Sequence, residues 1–156
     1  MAEQKRSHTR IAEALCAAER ICQANGARLT DQRRRVLEIL FRADGPLGAY
    51  ELLERLSTTL PSAKPPTVYR ALDFLLTQGL VHRLESLNAF IGCTHPDHPH
   101  ASQFLICSAC GRVQELEDHR VRHSIDRAIA GIGFEVESQV VEISGRCAGC
   151  RLERLQ

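Results

Sequence analysis

Four of the seven cysteines in this chain are spaced for one task. They stand in two pairs, Cys107-Ser108-Ala109-Cys110 and Cys147-Ala148-Gly149-Cys150. A two-residue gap lets both sulfurs of a pair face one tetrahedral ion. Thiolate is a soft ligand, and four thiolates closing a shell with no open position make a structural zinc site. The competing reading is a redox dithiol. One pair alone is weak evidence; two in a single short chain favour the metal. The 36 residues between the pairs exceed the spacer of a simple zinc ribbon, so the ion ties a hairpin near residue 107 to the end of the chain.

A second group is looser. Cys93-Thr94-His95-Pro96-Asp97-His98-Pro99-His100 holds one thiol and three imidazoles in eight residues, with no apolar pattern. His82 precedes it and Glu115 follows the first cysteine pair. Imidazole, thiolate and carboxylate together suit tetrahedral zinc. Against this stands a hydrophilic loop with surface histidines. Cys16 and Cys22 sit in a helical pattern and read as packing residues. A zinc hydrolase or deaminase would need an open metal site and a base, for example His82, Cys93 and His100 with Glu115. The HxE…PCxxC pattern of the deaminases is absent, so no enzyme and no small-molecule substrate are expected.

The elements that must carry these groups follow from periodicity. Ile11, Leu15, Ile21 and Cys22 recur at helical spacing, and Asn25-Gly26 ends that run. Thr30 is an N-cap for a second helix with Val36, Leu37, Leu40 and Phe41 on one face. Asp44-Gly45-Pro46 turns the chain into a third helix with Leu52, Leu53 and Leu56. Pro65 and Pro66 suit the first turn of a fourth, where no intrahelical donor is needed. Val68, Ala71, Leu72, Leu75 and Leu76 form its buried stripe, and Gly79 stops it. Leu80, His82 and Leu84 alternate with Val81, Arg83 and Glu85; after Ser86-Leu87-Asn88, Ala89, Ile91 and Cys93 alternate again, giving a β-hairpin.

Helices followed by a hairpin in this order make a winged helix-turn-helix. The fourth helix is then the recognition helix, with Thr67, Arg70, Asp73 and Thr77 opposite its apolar stripe and Tyr69 at the flank. Lys64 stands where the helix dipole favours phosphate. Arg33, Arg34 and Arg35 open the second helix. Taken singly each of these is a solvated charge; taken with the helix order they point to double-stranded DNA.

Beyond the loop, Phe104-Leu105-Ile106 and Val113 to Leu116 flank the first cysteine pair as a hairpin. Val121, Ile125, Ala128, Ile129 and Ile132 mark an amphipathic helix ended by Gly131 and Gly133. Phe134, Val136, Val140, Val141 and Ile143 are expected as one strand. The fold class is α+β: an N-terminal winged helix-turn-helix domain, 1–92 with 1–10 frayed; a hinge and metal-binding loop, 93–102; and a small α/β dimerisation domain with structural zinc, 103–156. So small a second unit has little core, and zinc and dimerisation both help it hold together.

Composition agrees. A chain of 156 residues with 44% apolar content forms one large domain or two small ones. No apolar run reaches membrane-spanning length and no signal-like segment opens the chain. An odd cysteine count argues against a disulfide framework and for a reducing, cytoplasmic setting. The net charge is only +1, but residues 1–85 carry 13 Lys+Arg against 10 Asp+Glu, and residues 86–156 carry 7 against 9. The first part is the one suited to a polyanion.

The run from Lys64 to Leu75, KPPTVYRALDFL, then Gly79-Leu80-Val81-His82, and the two CxxC pairs resemble the ferric uptake regulator family and within it the zinc-sensing branch. The resemblance runs from about Ala14 to Cys150. It implies a homodimer in which Cys107, Cys110, Cys147 and Cys150 hold structural zinc. It implies a regulatory zinc on His82, Cys93, His100 and Glu115, with two or more zinc ions per subunit. His95 and His98 are spare histidines and further candidate ligands. The His-Asp-His cluster of the iron- and peroxide-sensing branches is replaced here by Ala101 to Leu105, and a thiol in the shell favours zinc over iron(II). Lys64, Thr67, Tyr69, Arg70, Arg28 and Tyr50 are the DNA-facing set. The chain ends six residues after Cys150, and no metal-binding tail is expected. The implied function is a zinc-responsive repressor of zinc-uptake genes that binds a palindromic operator. The alternative is a repressor of the same family sensing iron, manganese, or peroxide through its thiols.

Overall fold

The computed structural model describes residues 2–93, 96, 102–137 and 139–152, without the side chains of residues 2–9. The chain forms two compact units, Met1–His98 and Pro99–Gln156.

The first unit runs α1 (Ala2–Ala24), α2 (Asp31–Arg42), α3 (Ala49–Ser57), α4 (Pro65–Thr77), β1 (Val81–Leu84) and β2 (Ala89–Gly92). Residues 2–10, expected to fray, carry helical backbone as part of α1. Leucine, valine and alanine from all four helices interlock: Leu15, Val36, Leu37, Leu40, Leu52, Leu56, Val68, Leu72 and Leu75 are each at most 4% exposed. Each such side chain contributes roughly 1.5–3 kcal/mol through burial. The expected caps differ in how they act. Thr30 occupies the N-cap of α2, but its hydroxyl makes no capping bond. At α3 the Gly48 N–H donates to the Glu51 carboxylate at 2.8 Å. Pro65 and Pro66 fill the first turn of α4, and Gly79 and Leu80 close it by donating to the carbonyls of Leu76 and Leu75.

β1 and β2 pair antiparallel, with His82 opposite Ile91 and Leu84 opposite Ala89. This is the wing. Leu47 bridges to Phe90 through two backbone bonds, fastening the loop after α2 to the hairpin. The alternation expected here is imperfect, because Val81 is also buried. It joins the helical core together with Leu80, so the start of β1 is covered on both faces.

The second unit is a three-stranded sheet, β4 (Val113–Leu116), β3 (Ser102–Cys107) and β5 (Val140–Gly145), in the order β4-β3-β5. β3 and β4 form the expected antiparallel hairpin; β3 and β5 run parallel, with α5 (His119–Ile129) in the connection. Gln103 is almost wholly buried and donates its amide to the Asp118 carbonyl at 3.0 Å, fixing the start of α5 to β3. Phe134 and Val136, which the sequence analysis expects in the last strand, lie outside it. The ladder between β3 and β5 opens at Ser102 opposite Val140, so among the described residues those before Val140 have no partner on β3. Ile132 likewise lies past the end of α5. A short helix, α6 (Ala148–Leu152), follows β5 and was not foreseen.

Candidate metal centre and nucleic-acid interface

The parallel pairing of β3 with β5 sets Cys107 directly opposite Gly145. The two cysteine pairs, distant in sequence, therefore start from adjacent strand ends. After Cys107 the chain turns back on itself: Gly111 donates to the Cys107 carbonyl and Cys107 to the Arg112 carbonyl, both at 2.9 Å. Gly111 sits at φ +72°, a left-handed conformation that a side chain resists. Ser108 anchors this knuckle, since its N–H and hydroxyl both donate to the Gly145 carbonyl, at 2.8 and 3.1 Å. On the other side, α6 folds Cys150 back over Cys147, with Arg151 donating to the Cys147 carbonyl.

All four sulfurs consequently lie within 4.8 Å of one another. Cys110 and Cys147 are 3.8 Å apart, far beyond the roughly 2.05 Å of a disulfide. With zinc–sulfur bonds of about 2.3 Å, the edge of a tetrahedral shell is about 3.8 Å. The donor set and the spacing fit zinc. The thiols also differ in acidity. Backbone donors, Cys147 N–H first (3.3 Å), then those of Cys110 and Ala109, pull the Cys107 thiol down from 9.0 to about 6. Cys147 is also lowered, chiefly by the Cys150 backbone N–H. Cys150 is pushed up to about 12, mainly by side-chain bonding to Cys147 and Cys110. Among the described residues this is the one group of three or more metal-binding side chains that gathers. Ser108, Gly111 and Gly145 were not singled out in the sequence as parts of the site. The glycine directly after the first CxxC was the available signal.

The residues expected at the second metal site divide between the units. His82 lies half-buried on β1 of the first unit. Cys93 is fully buried and donates its N–H to the Leu80 carbonyl at 2.9 Å. This extends the wing register by one pair, so Cys93 and His82 stand diagonally on the same face of the ladder. Glu115 is half-buried on β4 of the second unit, opposite Phe104. His95, His98 and His100 lie outside the described residues.

On α4, Lys64, Tyr69, Arg70 and Asp73 are exposed while Val68, Ala71, Leu72 and Leu75 are buried. The Lys64 N–H donates to Thr67 Oγ1 at 3.3 Å, so the Thr67 hydroxyl is used at the cap. Arg28 is exposed, and Tyr50, at 77% exposure, is the most exposed aromatic described. The Arg33-Arg34-Arg35 run is employed differently from the expectation. Arg33 stacks 3.6 Å from the Phe74 ring and donates to the Arg28 carbonyl. Arg34 pairs with Glu19, and Arg35 reaches the Thr59 carbonyl. These three bind the helices together.

The sequence model of the ferric uptake regulator family matches residues 24–144. The zinc uptake regulation protein of Escherichia coli (strain K12) is 45% identical over 143 residues, which is 91% of this chain and 84% of that protein. The zinc uptake regulation protein of Mycobacterium tuberculosis (strain ATCC 25618 / H37Rv) is 31% identical over 131 residues, 82% of this chain and 98% of its own. A solved zinc uptake regulator complexed with zinc and DNA superposes with a TM-score of 0.86 at 43% identity, covering 94% of this chain and 98% of that one. With a family match across most of its length and these relatives, the chain belongs to the ferric uptake regulator family.

Proposed function

We propose that this protein is a zinc-responsive transcriptional repressor that acts as a homodimer on a palindromic operator in the cytoplasm and shuts off zinc-uptake genes. The observation that carries this reading is the closed four-thiol cluster, in a chain 45% identical to a zinc uptake regulation protein. The relatives are regulators, and the site offers no open ligand position for catalysis. Among the described residues, no helix is long and apolar enough to cross a membrane.

Cys107, Cys110, Cys147 and Cys150 hold the structural zinc. His82, Cys93, His100 and Glu115 hold the regulatory one, and His95 and His98 are in reserve. Zinc bound by the second set supplies a cross-link between ligands that come from both halves of the sequence. On α4, Arg70 and Tyr69 read base edges and Lys64 meets phosphate; Thr67, Arg28 and Tyr50 complete the contact surface. A regulatory ligand that favours the DNA-binding arrangement must itself be held more tightly on DNA, because coupling is reciprocal. Coupling of about 1–3 kcal/mol corresponds to roughly 5–150-fold in operator affinity.

The test is fluorescence anisotropy of a labelled palindromic promoter fragment, with free zinc buffered and iron(II) and manganese(II) as controls. Operator binding should rise with zinc alone. Cys93→Ser should keep the fold and the cysteine-cluster zinc but lose that rise. Binding indifferent to zinc, or a normal response in Cys93→Ser, would refute the regulatory assignment and turn attention to thiol oxidation.

A further inference from the structure

Four thiolates around a divalent ion leave two uncompensated negative charges. Bringing those thiolates to within 4.8 Å of one another sets like charges side by side, and something must offset them. At the ends of β3 and β5 the structure holds a cavity of about 320 Å³, lined by Leu105, Ile143 and two of the cluster cysteines, Cys107 and Cys147. The same cavity is lined by two arginines, Arg112 and Arg146.

Both arginines are placed by the knuckles themselves. Arg112 follows Cys110 by two residues, and its carbonyl accepts the Cys107 N–H at 2.9 Å. Arg146 immediately precedes Cys147. Several arginines of the protein are matched with acids: Arg34 with Glu19, Arg42 with Glu38, Arg83 with Glu85, Arg120 with Asp118 and Arg122 with Asp126. Among the described residues, Arg112 and Arg146 make no ion pair with a carboxylate. Two cations that pair with no acid and line the same cavity as two of the cluster cysteines are available to offset the two excess negative charges.

We propose that Arg112 and Arg146 are the counter-charge of the zinc–tetrathiolate centre, positioning residues that lower the cost of gathering four thiolates and so raise zinc retention. The inference rests on the reading that the four cysteines hold zinc. Groups that touch the ligands rather than the metal typically change metal affinity 10–100-fold. Both side chains are exposed, so their effect is screened by salt. A purely packing role would be insensitive to salt and would not be restored by lysine, whose shape differs but whose charge is the same.

The experiment uses the full chain carrying Cys93→Ser, so that cobalt(II)–thiolate absorption reports the cysteine cluster. Zinc affinity is measured by competition at low and high salt. The paired Arg112→Gln and Arg146→Gln variant should lose about tenfold or more at low salt, with the gap to the parent narrowing at high salt. The paired Arg→Lys variant should retain the parent's affinity, and the cobalt spectrum should be the same in all three. Unchanged zinc affinity in the glutamine variant overturns the proposal, as does a loss that neither lysine nor salt relieves. If the parent itself shows no four-thiolate cobalt spectrum, it is the metal-site reading that fails.

Discussion

Cys107 is set apart from its neighbours by the backbone. Three N–H groups aim at its sulfur, with that of Cys147 the strongest influence, and its ionised form is favoured down to about pH 6. Cys150 is the opposite case, because bonding to the Cys147 and Cys110 side chains keeps its proton on up to about 12. The sign of the linkage follows. A depressed acid contributes stability that is fully present above its ordinary value of 9.0 and is lost as pH falls through about 6. In metal-free protein, alkylation followed by mass spectrometry should therefore label Cys107 as pH rises through about 6, well before Cys150. Simultaneous labelling of Cys107 and Cys150 would contradict this order. Zinc binding displaces the remaining protons, so the loaded cluster should release its ion on acidification.

At the scale of elements, α4 carries a buried stripe on one face and, on the other, the residues proposed above to contact DNA. Its buried stripe and its exposed face share one helix but no side chain. Leu72→Ala should cost about 2–5 kcal/mol in urea unfolding. Arg70→Ala should leave stability alone and weaken operator binding by about 1–3 kcal/mol, read by anisotropy, with zinc content unchanged. Equal effects of both variants on unfolding would overturn the division. This helix was legible in the sequence because Pro65-Pro66, the apolar stripe and Gly79 all agree. The cysteine cluster was legible because thiol spacing is a local signal. The uses of Arg33, Arg34 and Arg35 were not, since the partners Phe74, Glu19 and Thr59 come from other elements. Nor was the true start of β5, which is set by where β3 begins and not by the apolar residues Phe134 and Val136. The packing of β2 on α2 was equally hidden: a Cβ at Gly92 would lie 2.7 Å from the Phe41 ring.

At the scale of the whole molecule, the two units solve the stability problem differently. The first buries a continuous helical core. The second leaves Ile132 and Phe134 about 70% exposed, Ile143 and Val140 nearly half exposed, and no residue of α5 fully buried. Apolar surface of this extent is what a second copy of the chain would cover, in line with the homodimer proposed above. The cysteine cluster supplies the rest, and its topology has a consequence. Cys107 and Cys147 are 40 positions apart, so a shared ion closes a long loop containing β4, α5 and β5. By the chain-entropy estimate used for covalent cross-links, such a closure is worth about 4 kcal/mol. The loop is also a clasp. A protease that cuts once between Cys110 and Cys147 should sever the chain without dividing the protein. Both fragments should migrate together under native conditions and part only when a chelator is added.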